Sequence, residues 1–207
     1  MLITIDGTSG TGKSSVGDLF ATKHSFLHLN SGLYYRAITS ISSELNAVQD
    51  LESLLEAISF RIQFLTESIL IDGSPVEVEL LKSDRISHAG VMIARIPEIR
   101  SLVNKHLREN ALGKNTIVEG RNIGIEVFPD ANFKFFLECS PEVTAQRMSR
   151  AMNIPFEKAL HSIQLRDEKD KSRAVSPVVI PEDAIRIDTS DLTIPQTLER
   201  IEKYVFG

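Results

Sequence analysis

Gly7-Thr8-Ser9-Gly10-Thr11-Gly12-Lys13-Ser14 matches the pattern G-x-x-x-x-G-K-S/T in full. Its flanks supply the context that the pattern needs. The β-branched run at 2–5 reads as a strand, and 13–23 carries apolar residues at helical spacing. A strand, a glycine-rich turn and a helix in that order form a cradle for phosphate. Glycines let the backbone curl until successive N–H groups point inward. The helix N-terminus adds partial positive charge. In such a loop Lys13 reaches the β- and γ-phosphates of a nucleotide, and the Ser14 hydroxyl is placed to coordinate Mg²⁺.

Outward from this loop, strands alternate with helices. Strand patterns fall at 26–29, 115–118, 132–138 and 184–187. Helical patterns fall at 31–45, 48–58, 83–95, 97–110, 155–170 and 194–205, and Ser140-Pro141-Glu142 is a good helix start. The middle differs: 61–65 and 68–71 are short and apolar, Asp72-Gly73 signals a turn, and 76–80 alternates again. That stretch predicts a small antiparallel insert. The whole predicts an α/β chain of three layers, a parallel sheet covered on both faces.

The 207 residues suit one domain with a core that needs no disulfide or structural metal. A hydrophobic fraction of 42% with 25% charged residues excludes disorder, collagen and disulfide scaffolds. The net charge of −5 argues against a broadly basic surface for nucleic acid or anionic lipid. The single cysteine, Cys139, follows an apolar run and reads as packing; a reducing compartment fits it. No stretch approaches the roughly 18 apolar residues of a membrane span. The expectation is a cytoplasmic protein with no nucleic-acid or membrane partner.

A phosphate loop does not by itself choose a reaction. A GTPase needs Asn-Lys-x-Asp, and the Asn-Lys of this chain, Asn104-Lys105-His106-Leu107, lacks the aspartate. A kinase needs arginines, whose planar forks bind phosphate bidentately and stay charged. Three segments offer them. In Asn30-Ser31-Gly32-Leu33-Tyr34-Tyr35-Arg36, Ser31 is placed to cap a helix that carries Arg36. Glu119-Gly120-Arg121-Asn122-Ile123-Gly124 follows a strand, so it belongs at the carboxyl edge of the sheet, where ligands bind in this architecture. The run from Arg166 to Arg173, preceded by Arg147 and Arg150, is either a solvated charged helix or a lid carrying arginines.

Taken together, these segments resemble the bacterial cytidylate kinases, within the nucleoside monophosphate kinases. The resemblance rests on Ile5-Asp6-Gly7 through Ser15, Ser31 to Arg36, Gly120 to Gly124 with Val127-Phe128-Pro129-Asp130-Ala131, and Arg166-Asp167 through Arg173-Ala174. The motifs occur in family order over nearly the whole chain. The resemblance implies a P-loop kinase core at 1–29 and 111–207, a monophosphate-binding insert at about 30–110, and a helical lid at about 147–173. It implies transfer of the ATP γ-phosphate to CMP or dCMP with Mg²⁺, by a monomer. It assigns Lys13, Arg121 and Arg166 to catalysis. Gly7, Thr8, Ser9, Gly10, Thr11, Gly12, Lys13, Ser14, Ser15 and Arg147 fall to ATP, with Ser14 on Mg²⁺. Ser31, Arg36, Arg100, Arg121, Asn122, Arg166, Asp170 and Arg173 fall to the monophosphate substrate.

The chain also departs from the family pattern. The family usually has Asp-Gly-Arg-Asp where Glu119-Gly120-Arg121-Asn122 stands, and an aspartate where Asn30 stands. Val91 falls about where the family often offers a hydroxyl near the base. An aspartate at 122 only accepts hydrogen bonds, which suits the cytosine amino group; asparagine also donates and so accommodates uracil O4. A kinase with relaxed pyrimidine preference, a catalytically weak ATP-binding homologue and a kinase of a non-nucleotide acceptor stay open as alternatives on sequence alone.

Overall fold

The computed structural model describes residues 1–44, 51–66, 68–81, 83–171 and 176–207. Arg173, the helix end expected at 45 and the helix start expected at 48–50 lie outside the described residues, as do the side chains of Arg166 and Asp170. The chain divides into two compact units, Met1–His28 with Gly113–Gly207, and Leu29–Leu112.

The first unit is built on strands β1 (Leu2–Gly7), β2 (Leu27–Asn30), β6 (Thr116–Glu119), β7 (Phe133–Glu138) and β8 (Ile185–Asp188). Their order in the sheet is β2-β6-β1-β7-β8. The pairs β1–β6, β1–β7 and β7–β8 are all parallel, with Ile5 opposite Glu119 on one side and Phe135 on the other. Parallel strands require crossover helices: here these include α1 (Lys13–His24), α7 (Pro141–Met152) and α8 (Phe156–Lys171), with α9 (Ile194–Phe206) closing the unit. Central strands buried on both faces need near-continuous apolar runs. Accordingly Ile3, Ile5, Ile117, Phe135 and Leu137 pack with Val16 and Phe20 of α1 and Leu198 and Ile201 of α9 in one core cluster. Each such side chain contributes about 1.5–3 kcal/mol on burial. Helix starts follow sequence chemistry. Ser140 Oγ accepts from Val143 N at 3.3 Å ahead of Pro141, and Thr193 forms a capping box with Gln196.

The second unit comprises α2 (Ser31–Glu44), α3 (Leu51–Arg61), the antiparallel strands β3 (Ile62–Phe64), β4 (Ile69–Ile71) and β5 (Ser74–Pro75), then α4 (Val78–Leu81), α5 (Asp84–Ile93) and α6 (Pro97–Ala111). The small antiparallel sheet is there, but its third strand is not the alternating run 76–80. Asp72 and Gly73 both have positive φ, 51° and 76°, and turn the chain back into a two-residue strand. Beyond Pro75 the pairing runs on by one hydrogen bond, from Val76 N to Ile69 O at 3.0 Å, and ends there. The run beyond folds as the single turn α4, burying Leu81 and leaving Val78 and Leu80 exposed. The cap of α2 is Asn30 rather than Ser31. Ser31 is already helical, and Asn30 Oδ1 accepts from Leu33 N at 3.3 Å. Asparagine is as good an N-cap as serine, and the helix starts one residue earlier than a Ser31 cap implies. Tyr34 stacks on Phe64 at 4.5 Å, with Asn110 Nδ2 donating to the Tyr34 hydroxyl and to Phe64 O. Among the described residues no helix is long and apolar enough to cross a membrane.

Candidate active site

The phosphate-loop segment connects the carboxyl end of β1 to the first turn of α1. Gly10 and Gly12 adopt φ of 67° and 89°, which bends the loop back on itself at low steric cost. Lys13 curls over that loop: Nζ donates to Gly7 O at 3.0 Å, Thr8 O at 2.5 Å and Thr11 Oγ1 at 3.2 Å. Thr189, just past β8, donates its hydroxyl to Thr11 O and so pins the loop from the sheet side. Ser14 lies exposed on the first turn of α1. Its hydroxyl is a hard oxygen donor of the type Mg²⁺ takes alongside waters and substrate phosphates, so the residues present fit that ion.

Strand β6 lies beside β1, so the segment that leaves it arrives at the mouth of the same loop. There Arg121 spreads its fork: one nitrogen donates to Gly7 O and the other to Ser9 Oγ at 2.8 Å. A third segment joins at Ser9, whose backbone N–H donates to Asp167 Oδ1 of α8 at 3.2 Å. The structure therefore brings Gly7, Ser9, Lys13 and Arg121 together, with Asp167 as an added member. Sequence reading did not select Asp167, because an aspartate in a charge-dense helix looks like part of a solvated face.

A regular turn rather than an irregular loop follows Arg121. Residues Ile123–Val127 form one π-helical turn, closed by Phe128 N on Ile123 O at 2.8 Å. Asp6 sits beneath it. Burial raises the Asp6 carboxyl to about pKa 6, against the opposing effect of its bonds to the Gly124 and Ile123 N–H groups and the charges of Lys13 and Arg121.

The other expected site residues are placed as follows. Asn122 is 5% exposed, and both ends of its amide meet the segment at 176–179. Nδ2 donates to Ser176 Oγ and Pro177 O, and Oδ1 accepts from Val179 N at 3.2 Å. Arg147 donates from Nη2 to the carbonyls of Thr189, Ser190 and Leu192, and from Nη1 to Cys139 Sγ. Its fork holds the turn after β8. Ser31, Arg36 and Arg100 belong to the second unit. There Ser31 is buried in the first turn of α2, and Arg36 lies further along that helix. The Arg100 guanidinium donates to Ala94 O and stands 5.9 Å from the centre of the Tyr35 ring.

Glu119, at the end of β6, is 3% exposed and lies 3.4 Å from His28 Nε2. That separation is an ion-pair distance rather than a good hydrogen bond. The firmer contact of His28 is Nδ1 on Asp18 Oδ1 at 2.6 Å. Gly17 makes room for the ring, since a Cβ there would stand 2.5 Å from His28 Nε2. Burial pulls the imidazole pKa down, but the bonds and charges of Asp18 and Glu119 outweigh it and raise it to about 9. The folded value exceeds the roughly 6.5 of a free histidine, so protonated His28 stabilises the fold. That stability is complete below about pH 6.5 and is lost as pH rises through about 9. The expected result is that the melting temperature falls between pH 7 and 9.5 more steeply in the parent than in His28→Gln. Parallel curves for the two proteins would remove this role.

A parallel sheet with a phosphate loop at its central strand, and an arginine fork across that loop, defines an ATP-dependent phosphotransferase of the P-loop kinase fold. The shikimate kinase of Bacteroides thetaiotaomicron shares that fold, with a TM-score of 0.50 at 15% identity over 99% of this chain and 98% of that one. The family model for cytidylate kinase matches residues 3–206. The cytidylate kinase of Caldanaerobacter subterraneus subsp. tengcongensis is 39% identical over 96% of this chain and 92% of that protein. The cytidylate kinase of Chlamydia felis is 40% identical over 97% and 96%. The chain belongs to the cytidylate kinase family and is a nucleoside monophosphate kinase that uses ATP as co-substrate.

Proposed function

We propose that this chain transfers the γ-phosphoryl group of ATP to CMP or dCMP, giving ADP and CDP or dCDP. The observation that carries this reading on the site is the Arg121 fork on Gly7 O and Ser9 Oγ, beside the Lys13 ammonium. It puts two fixed positive charges at the mouth of one phosphate loop. The Leu29–Leu112 unit, with Ser31, Arg36 and Arg100, is the monophosphate-binding insert in this reading. The segment at about 147–173 is the lid in this reading, contributing Arg166, Asp170 and Arg173.

The reaction asks the protein for position and charge more than for covalent chemistry. An oxygen of the CMP phosphate attacks the γ-phosphorus in line. The bond from that phosphorus to the β–γ bridging oxygen breaks, and ADP carries the electron pair away. The N–H groups of 7–14 and the Lys13 ammonium hold the β- and γ-phosphates. Arg121 and Arg166 offset the negative charge on the oxygens of the moving group. Arg36 holds the acceptor phosphate. Arg147 belongs to the ATP site in this reading, held in place by its Nη2 bonds to the carbonyls of Thr189, Ser190 and Leu192. Ser14 Oγ would hold Mg²⁺, which would supply further neutralisation of phosphate charge. The working form is a cytoplasmic monomer.

The test is steady-state transfer from ATP with Mg²⁺ to CMP, dCMP, UMP and AMP by the purified full chain. Turnover fastest on CMP and dCMP is expected; turnover confined to AMP, or none on any monophosphate, overturns the reading. The role of Asn122 at the base has its own test. Asn122→Asp presents acceptors alone, which favours the cytosine amino donor and opposes uracil O4. The CMP/UMP ratio of kcat/KM is expected to rise at least roughly tenfold. An unchanged ratio would confine Asn122 to its contacts with 176–179.

A further inference from the structure

Asp6 has no place in the mechanism above, yet it lies at the junction of its two main parts. It is the next-to-last residue of β1, immediately before the phosphate loop, and is 1% exposed. Its Oδ1 accepts from Ile123 N and its Oδ2 from Gly124 N, both at 2.8 Å. Each oxygen thus takes one of two consecutive N–H groups that open the π-helical turn. Arg121 is two residues upstream of the first, and its fork returns to Gly7 and Ser9 on the other side of Asp6. Asp6, Gly7, Ser9, Arg121, Ile123 and Gly124 therefore form a closed circuit.

The seat of that turn leaves no slack. A Cβ on Gly124 would stand 2.9 Å from Thr4 Oγ1, 3.3 Å from Lys134 Cδ and 3.4 Å from Asp6 Oδ2. The peptide is pressed onto β1 and can only lie where the carboxylate receives it. A buried carboxylate is also an expensive way to fill space. A neutral residue would pack there at less desolvation cost, but the carboxylate matches two adjacent N–H donors with two strong acceptors. Asparagine offers one acceptor and turns an NH₂ toward the other N–H.

We propose that Asp6 is a positioning residue for phosphoryl transfer: by clasping the Ile123 and Gly124 N–H groups it sets where Arg121 stands over the phosphate loop. This inference rests on the kinase reading. A misplacement of about 1 Å in such a group costs on the order of a hundredfold in rate.

The experiment is a double-mutant cycle of Asp6→Asn and Arg121→Ala in the full chain, with kcat and KM for ATP and CMP. Amide exchange of Ile123 and Gly124 is followed in parallel. Asp6→Asn is expected to lower kcat about ten- to a hundredfold, with KM for ATP within about threefold. In the Arg121→Ala background the same change is expected to lower kcat less than about twofold, because the group it positions is gone. The Ile123 and Gly124 amides should exchange at least about tenfold faster while those of β7 keep their protection. Losses that add in the double variant, or an unchanged kcat in Asp6→Asn, overturn the proposal. If Asp6→Asn does not fold, Gly124→Ala pushes the same peptide from its other side and should give the same split and the same non-additivity; additive losses there overturn it too. A parent chain inactive on every monophosphate would refute the kinase reading. Amide exchange then decides the clasp, and unchanged exchange in Asp6→Asn overturns it.

Discussion

Lys13→Ala is expected to lower kcat for transfer from ATP to CMP on the order of a thousandfold, about 4 kcal/mol of transition-state stabilisation. The ammonium is one of two fixed cations at the mouth of the loop, and it is already gathered over Gly7 O, Thr8 O and Thr11 Oγ1. A phosphate oxygen replaces those neutral acceptors with charged ones, to which the hydrogen bonds are roughly twice as strong. The charge on the bridging and γ-oxygens grows as the phosphoryl group moves, so the loss falls on kcat more than on KM. Steady-state kinetics on CMP with ATP and Mg²⁺ reads the effect, with thermal melting as the control for folding. A folded variant that retains more than about a tenth of parental kcat would falsify the role given to Lys13.

Arg121→Ala has the second largest expected effect, a fall in kcat of roughly a hundred- to a thousandfold. Its fork bridges Gly7 O and Ser9 Oγ, so it orders the loop as well as supplying charge. The conservative variant separates these contributions. Arg121→Lys keeps the charge, but one ammonium cannot reproduce a planar fork with two parallel donors. It is expected to remain at least about tenfold below the parent. Recovery of full activity in Arg121→Lys would mean that charge alone is required. The cycle with Asp6 then shows how much of the Arg121 effect depends on where it is held.

The helices and strands of the first unit were legible because their signals are local. The run at 2–5 before three glycines, Ser140 before Pro141, and the long period of 194–205 each depend on near neighbours. The second unit was legible to the extent that it obeys the same rule. The hairpin at Asp72-Gly73 formed where the turn chemistry placed it. The run 76–80 did not form a strand: pairing ends at Val76 N on Ile69 O, and the chain turns into α4, which buries Leu81. The cap of α2 was misplaced by one residue because asparagine and serine compete almost equally for that position.

Residues 7–14 match the phosphate-loop pattern in sequence alone, since a contiguous motif carries its own local geometry. The order of the arginine segments likewise marks the family in sequence. Tertiary structure decided what no linear pattern encodes. The strand order β2-β6-β1-β7-β8 carries Arg121 to Ser9 across more than half the chain, and α8 brings Asp167 to the same residue. Asp6 meets Ile123 and Gly124 only because β1 and β6 are neighbours. Asn122 and Arg147 found partners at 176–179 and 189–192 that their own segments do not announce. The reason is physical: propensity and periodicity act over a few residues, whereas a buried polar group must be satisfied by whichever donor or acceptor the sheet topology places beside it.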